Sequence, residues 1–247
     1  MTPWCEISRN KELFTQKEVE EIQDWLFLGI DITLLHIQSE GISPEVSQSI
    51  VDKKVWIFVK VEWKWAWAWV GDIITIWEKT YISTAKHVVS HRWVQDILIL
   101  DFSGEIVKVG KILAHPTLDV AFIEVLSSNV QWYDISKSYT YGEKSITLWL
   151  WENHRPHVTV EKSVLSAQQK SLDSIMRKNP FNQIPSFLIA IPNNVKPGDS
   201  GSMVVDELGN PKYMLLKWET ITKSIGHALP VEYILKAFHE IQTECKP

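Results

Sequence analysis

Three residues of the types used in nucleophilic catalysis occur in the order histidine, aspartate, serine. They are His87, Asp119 and Ser200, and each lies at the edge of a predicted strand. A serine hydroxyl becomes an effective nucleophile when a neighbouring histidine takes its proton, and a carboxylate can orient that histidine. The pattern predicts acyl transfer with Ser200 as nucleophile, His87 as base and Asp119 as orienting group.

The segment around Ser200 also suits the stabilisation of an oxyanion. Gly198 permits a tight turn that can aim the amides of Gly198 and Ser200 at one point, and Gly201 leaves space beside the nucleophile. Each segment alone has an ordinary interpretation, since Gly-Asp-Ser-Gly is a common turn composition and a single histidine often has no catalytic role. The three together, in a known chain order for such a triad, favour catalysis.

Short β runs at regular spacing must position these residues. No helices are predicted between them, which favours antiparallel barrels or a sandwich. The predicted strands are 55–61, 72–77, 97–100, 106–113, 120–126, 145–150, 157–165, 187–191, 203–205, 212–216 and 224–229.

Helices are predicted at both ends of the chain. Thr15 and Glu18 form a capping-box pattern before a helix over 15–27, and Ser43-Pro44 begins another. Residues 30–34 alternate as a strand or an extended arm. Pro230 is predicted to begin a last helix, whose apolar face contains Tyr233, Ile234, Ala237 and Ile241.

The motifs resemble those of trypsin-like (chymotrypsin-fold) serine peptidases, and most closely the bacterial HtrA/Deg-type branch. The segments that carry the resemblance are Thr84-Ala85-Lys86-His87-Val88-Val89, Asp119-Val120-Ala121, Pro197-Gly198-Asp199-Ser200-Gly201 and Ile225-Gly226-His227-Ala228-Leu229-Pro230. The resemblance covers about residues 50–240. It implies an all-β fold of two six-stranded antiparallel barrels, with the active site in the cleft between them.

The implied domains are an N-terminal helical or extended segment (1–48), a first barrel with His87 and Asp119 (49–137), a second barrel with Ser200 (138–230) and a C-terminal helix (231–247). The implied activity is that of a serine endopeptidase acting on peptides or unfolded proteins. The alternative is a catalytically weak module on the same fold that binds extended peptides. No room is expected for the PDZ module that HtrA-type enzymes usually carry.

Three residues depart from the HtrA pattern. Lys86 replaces an alanine and Ser202 a glycine, while Asp199 resembles the animal digestive enzymes, in which that aspartate pairs with a new N-terminus after cleavage. Ile50-Val51 resembles such an N-terminus only faintly, because the preceding Ser49 is not basic.

The resemblance also implies substrate-binding positions. Asn194, six residues before the nucleophile, corresponds to the base of the S1 pocket, which disfavours a strict preference for Arg or Lys. Gly226 corresponds to a pocket wall. Residues Lys217, Trp218 and Glu219 correspond to an edge strand that pairs with extended substrate.

Composition excludes several other classes of protein. The 247 residues carry a net charge of −5, and the basic pairs Lys53-Lys54 and Arg177-Lys178 are isolated, so no nucleic-acid interface is expected. Cys5 and Cys245 lie at opposite ends, and no third ligand accompanies His154 and His157, so neither a metal site nor a cofactor is expected. No signal peptide or transmembrane segment is visible, and the chain is expected to be soluble: cytoplasmic by default, extracytoplasmic if a leader is missing.

Tryptophan is abnormally frequent and glycine is scarce. The chain has 13 tryptophans and 10 glycines, where average usage predicts roughly 17 glycines. Several tryptophans stand where the resembling family has glycine, namely Trp63, Trp65, Trp67, Trp69, Trp77 and Trp151. The simplest hypothesis is that UGA codons meaning glycine have been read as tryptophan; the case is weaker for Trp56, Trp132 and Trp218.

Overall fold

The computed structural model describes residues 6–7, 14–29, 43–61, 64–90, 94–136, 144–152, 155–164, 189–192, 198–206, 208–218 and 225–244. The strands are β1 Glu6–Ile7, β2 Lys54–Val61, β3 Lys64–Ile76, β4 Lys79–Thr84, β5 Val94–Asp101, β6 Val109–Ala114, β7 Ala121–Val125, β8 Tyr133–Asp134, β9 Lys144–Glu152, β10 Arg155–Val164, β11 Ile189–Pro192, β12 Met203–Val205, β13 Pro211–Trp218 and β14 Ile225–Pro230. The helices are α1 Gln16–Gly29, α2 Pro44–Val51, α3 Lys86–Ser90 and α4 Val231–Glu244.

The strands form two mostly antiparallel sheets. The first has eight strands in the order β1-β6-β7-β4-β3-β2-β5, with β8 pairing in parallel with β3. Ile106, which precedes β6, forms an antiparallel bridge to Leu100 of β5. The chain therefore reverses direction between β5 and β6, and this sheet curls. The second has six strands in the order β10-β9-β12-β13-β14-β11. A mostly antiparallel β fold with a C-terminal helix is therefore confirmed, whereas closure into two six-stranded barrels stays a prediction.

Strand β2 shows how the first sheet is buried on both faces. Val55 and Ile57 belong to one apolar cluster, which joins strands of the first sheet to α3. Trp56 and Phe58 belong to a second cluster, which continues into β12, β13 and α4. Alternate residues of a strand point to opposite faces, so the continuous apolar run of β2 supplies the interior of the first sheet and its contact with the second.

The terminal helices cover the second cluster. Val19 and Ile22 of α1 are buried there, and Lys60 of β2 binds Glu18 at 2.8 Å. The last helix starts at Val231, one residue after the predicted start, because Pro230 still pairs with Tyr213. Its buried residues are Val231, Ile234, Ala237, Phe238 and Ile241, whereas the predicted Tyr233 is only half-buried.

Two elements around His87 differ from the predicted ones. The predicted strand 72–77 is the second half of β3, which begins at Lys64 and ends at Ile76. A short helix, α3, follows β4, although no helix was predicted between strands. Ile50 and Val51 lie in α2 with their side chains buried, so they belong to the core of the folded chain.

Trp77 lies in a turn whose backbone favours glycine, and Trp67 lies at a β-bulge, a position in strands where glycine is common. Trp77 and Glu78 have φ of 48° and 67° in the β3–β4 turn, as in hairpin turns that favour Gly or Asn. Ala66 and Ala68 oppose the consecutive residues Val59 and Phe58, so Trp67 is the extra residue of a bulge. Both observations support the glycine hypothesis, whereas Trp56 is fully buried and stacked on Phe102.

We expect the gene to have UGA at codons 63, 65, 67 and 69, and sequencing that shows UGG there would refute the hypothesis. A chain with glycine at these four positions and at 77 and 151 should be more soluble and more stable. Overpacking typically costs about 1–3 kcal/mol per site, and the exposed Trp77 has a positive φ that glycine adopts without strain. Urea unfolding of the two chains measures the difference. Trp56→Gly is the control, since truncating a core tryptophan should instead destabilise by about 3–5 kcal/mol.

Candidate active site

His87 and Asp119 are joined by two hydrogen bonds. The backbone N–H of His87 donates to Asp119 Oδ1 at 2.8 Å, and Nδ1 of the ring lies 2.7 Å from Oδ2. A proton on Nδ1 satisfies this contact and leaves Nε2 as the free acceptor. The His87 side chain is 45% exposed. The ring is thus fixed at one nitrogen and accessible at its other edge, as a general base must be.

Lys86 ties the helix of His87 to the turn of Asp119. Its ammonium donates to the carbonyls of His115 and Pro116 at 2.8 and 3.0 Å. Partial burial lowers the pKa of Lys86, and the Asp119 carboxylate opposes that fall. The lysine that departs from the family pattern therefore has a structural role, which its sequence position alone did not indicate.

His115 organises the same turn from inside. Its ring Nδ1 accepts the backbone N–H groups of Thr117 and Leu118 at 3.2 and 2.9 Å, so the other nitrogen, Nε2, carries the proton. Nε2 lies 2.8 Å from Glu240 of α4, and the His115 side chain is only 4% exposed. Sequence reasoning missed this pair because Glu240 is 125 residues away and no local pattern connects the two.

The Ser200 segment adopts a backbone that only glycine accommodates easily. Gly198 and Gly201 have φ of 108° and 100°, a region that other residues rarely adopt. Gly201 N donates to Leu215 O at 2.6 Å, and Leu215 N donates to Ser202 O at 2.7 Å, so β13 holds this loop. Asp199 and Ser200 are buried, with Ser200 9% exposed.

The same loop packs directly against the strands that lead to His87. A Cβ placed on Gly201 would lie 2.5 Å from both Thr84 Oγ1 and Val70 O. Thr84 Oγ1 in turn donates to Val70 O at 3.0 Å. Since Thr84 is three residues before His87, the structure brings the serine segment and the histidine segment together at this contact.

The predicted substrate-binding positions are described only in part. Lys217 and Trp218 end β13, and Gly226 of β14 pairs with Trp218. On its other side β13 pairs with β12, and the described part of the chain places no strand beside residues 216–218 there. Asn194 and Glu219 lie outside the described residues, as do Cys5, Cys245, His154 and Arg177-Lys178.

Within the ranges given above, no three His, Cys, Asp or Glu side chains group as ligands for a metal ion. Among the helices of those ranges, none has both the length and the apolar character to cross a bilayer.

No protein-family model and no curated protein matches the sequence, but solved structures match the fold. The serine endoprotease from Yersinia pestis has 18% identity and a TM-score of 0.60, covering 80% of this chain and 65% of its own. The HtrA-type protease AlgW with tripeptide also has 18% identity and a TM-score of 0.60, covering 81% and 63%. Rv3671c from M. tuberculosis H37Rv, in an inactive form, has 14% identity and a TM-score of 0.59, covering 82% and 95%.

These similarities show that the chain has the fold of HtrA-type serine proteases. The chain spans slightly less than two thirds of the first two structures.

Proposed function

We propose that the protein is a serine endopeptidase that hydrolyses peptide bonds through an acyl-enzyme. The observation that carries the proposal is the doubly hydrogen-bonded His87–Asp119 pair, in a fold shared with serine proteases. The contact of Gly201 with Thr84 adds support, because it brings the Ser200 segment to the strand that leads to this pair.

In the proposed reaction, Ser200 Oγ attacks the carbonyl carbon of the substrate while His87 Nε2 takes the hydroxyl proton. The carbonyl oxygen becomes an oxyanion, held by the amides of Gly198 and Ser200. The C–N bond then breaks as His87 gives its proton to the leaving amine. Water, activated by the same histidine, hydrolyses the ester and restores Ser200. Asp119 stabilises the imidazolium that forms in both halves.

Two further features belong to this proposal. The strands of the first sheet, apart from β1, fall within 54–134, and those of the second within 144–230, which supports a first barrel over 49–137 and a second over 138–230 with a cleft between them. Residues Lys217, Trp218 and Glu219 would form the edge strand that pairs with extended peptide, and Asn194 and Gly226 would line the S1 pocket. Two similar structures contain a tripeptide and a decapeptide, which supports peptide as the ligand class.

Labelling by a fluorophosphonate tests the nucleophile. The parent should be labelled and Ser200→Ala should not, with a fall in kcat on the order of 10⁶-fold. Ser90→Ala is the control. Ser90 is an exposed serine three residues after His87, and its hydroxyl donates to Lys86 O. This variant should be labelled like the parent. Thermal unfolding should be similar for all three chains, since each change removes one hydroxyl.

Equal labelling of the parent and Ser200→Ala would contradict the assignment of Ser200 as the nucleophile. A folded parent that is not labelled, but binds an unfolded peptide with a micromolar Kd in calorimetry, would favour the peptide-binding alternative.

A further inference from the structure

A buried ion pair lies behind the candidate active site. Lys54 of β2 and Asp72 of β3 are directly opposite in the register. The Lys54 ammonium donates to both carboxylate oxygens at 2.9 and 2.8 Å, and both side chains are fully buried. Removing two charges from water is expensive, so such a pair is weak evidence for stability as such. The presence of this pair therefore calls for an explanation other than stability.

The carboxylate has a second partner in the other sheet. The backbone N–H of Met203, three residues after Ser200, donates to Asp72 Oδ2 at 2.7 Å. Burial raises the pKa of Asp72, whereas Lys54 and the Met203 N–H oppose that rise. Lys54 thus favours the charged carboxylate, which accepts a hydrogen bond more strongly than a neutral acid does.

The loop of Ser200 is consequently held from two sides. Leu215 of β13 accepts the N–H of Gly201 with its carbonyl oxygen and donates its own N–H to the carbonyl oxygen of Ser202. The first sheet binds it through Asp72, and Gly201 packs on Val70 and Thr84. The Asp72 carboxylate joins the strand pair β2–β3 to the start of β12, which directly follows that loop.

We propose that Lys54 and Asp72 are positioning residues that hold the Ser200 loop, through Met203 N, in its reactive conformation. This inference rests on the proposed peptidase function. The expected effect of the pair is on the acylation step, because the loop carries the nucleophile and the proposed oxyanion donors.

Hydrogen exchange measured by mass spectrometry tests the proposal without any need for activity. In the parent, the segment 201–204 should exchange as slowly as β7. In Lys54→Met, an unpaired buried carboxylate should destabilise the whole fold, but exchange of this segment should rise about 10- to 100-fold more than that of β7, the factor associated with one hydrogen bond to a charged group. Asp72→Asn keeps an acceptor oxygen without the charge and should give a smaller rise.

Lys60→Met is the matched control. It breaks the partly buried Lys60–Glu18 pair, which joins β2 to α1, and should leave exchange of 201–204 unchanged even where it lowers the melting temperature.

Kinetics provide the second readout. The rate of Ser200 labelling by a fluorophosphonate, and kcat on a peptide, should fall about 10- to 100-fold in Lys54→Met, with KM nearly unchanged and Asp72→Asn between this variant and the parent. A purely structural pair would lower stability and leave kcat per folded molecule intact.

The outcomes separate the two proposals. An unlabelled parent would contradict the peptidase function, while the exchange data still decide the role of the pair. Exchange of 201–204 that rises no more than that of β7, or that is already fast in the parent, would overturn the positioning role. If Lys54→Met does not fold, Asp72→Asn and the parent measurement decide.

Discussion

Asp119→Asn should lower kcat by about 10⁴-fold and leave the fold intact. In the parent, Asp119 Oδ1 accepts the backbone N–H of His87, and Asp119 Oδ2 accepts the N–H of the ring Nδ1. Asparagine has one oxygen and one NH₂ group. If the oxygen keeps the backbone bond, the NH₂ group faces Nδ1 and moves the ring proton to Nε2, which then cannot accept the proton of Ser200. Turnover of a chromogenic peptide and thermal unfolding measure the two effects.

Asp101→Asn is the matched control for this change. Asp101 Oδ1 also accepts two backbone N–H groups, those of Ser103 and Glu105, in the turn after β5. The substitution should affect the turn and leave kcat unchanged. If Asp119→Asn keeps the parent kcat while Ser200→Ala loses it, Asp119 is not the group that orients the base.

Local patterns were enough to predict most of the strands and the last helix. The run Val55 to Phe58 is buried on both faces and forms β2, and the spacing of Ile234, Ala237 and Ile241 gives the buried face of α4. These elements were predictable because a period of 2 or 3.6 residues directly reflects which side chains are buried. The short helix α3 was missed because five residues carry no such period.

Residues that act over long sequence distances were not predictable. The sequence indicates Lys54 only as part of an isolated basic pair, whereas the structure buries it fully against Asp72. The available signal was a charge at the start of one apolar run, Val55–Val59, and another in Val70–Ile74. Two such charges can pair when the runs form a hairpin, but the register that places them opposite each other depends on the bulge at Trp67.

Gly201→Ala should lower the free energy of unfolding by about 2–6 kcal/mol, from strain at positive φ and from overpacking together. Gly201 has φ of 100°, and its Cβ would lie 2.5 Å from Val70 O and 3.0 Å from Thr84 Cα. These are backbone atoms of two paired strands, so they cannot move aside as a flexible side chain can. Against a total stability of roughly 5–15 kcal/mol, the change is large.

Two other glycines separate the contributions to this loss in urea unfolding. Gly209 has φ of 80°, but its Cβ would meet nothing nearer than Val46 Cγ1 at 3.8 Å, so Gly209→Ala should show only the backbone strain, about 1–3 kcal/mol. Gly110→Ala meets the carboxylate end of Glu124 at 2.6 Å, which is flexible, and should lose least. A loss for Gly201→Ala no greater than that for Gly209→Ala would contradict the close packing of the Ser200 loop on Thr84. Because that packing joins the serine and histidine segments, Gly201→Ala should also reduce fluorophosphonate labelling of the molecules that remain folded, whereas the other two variants should be labelled like the parent.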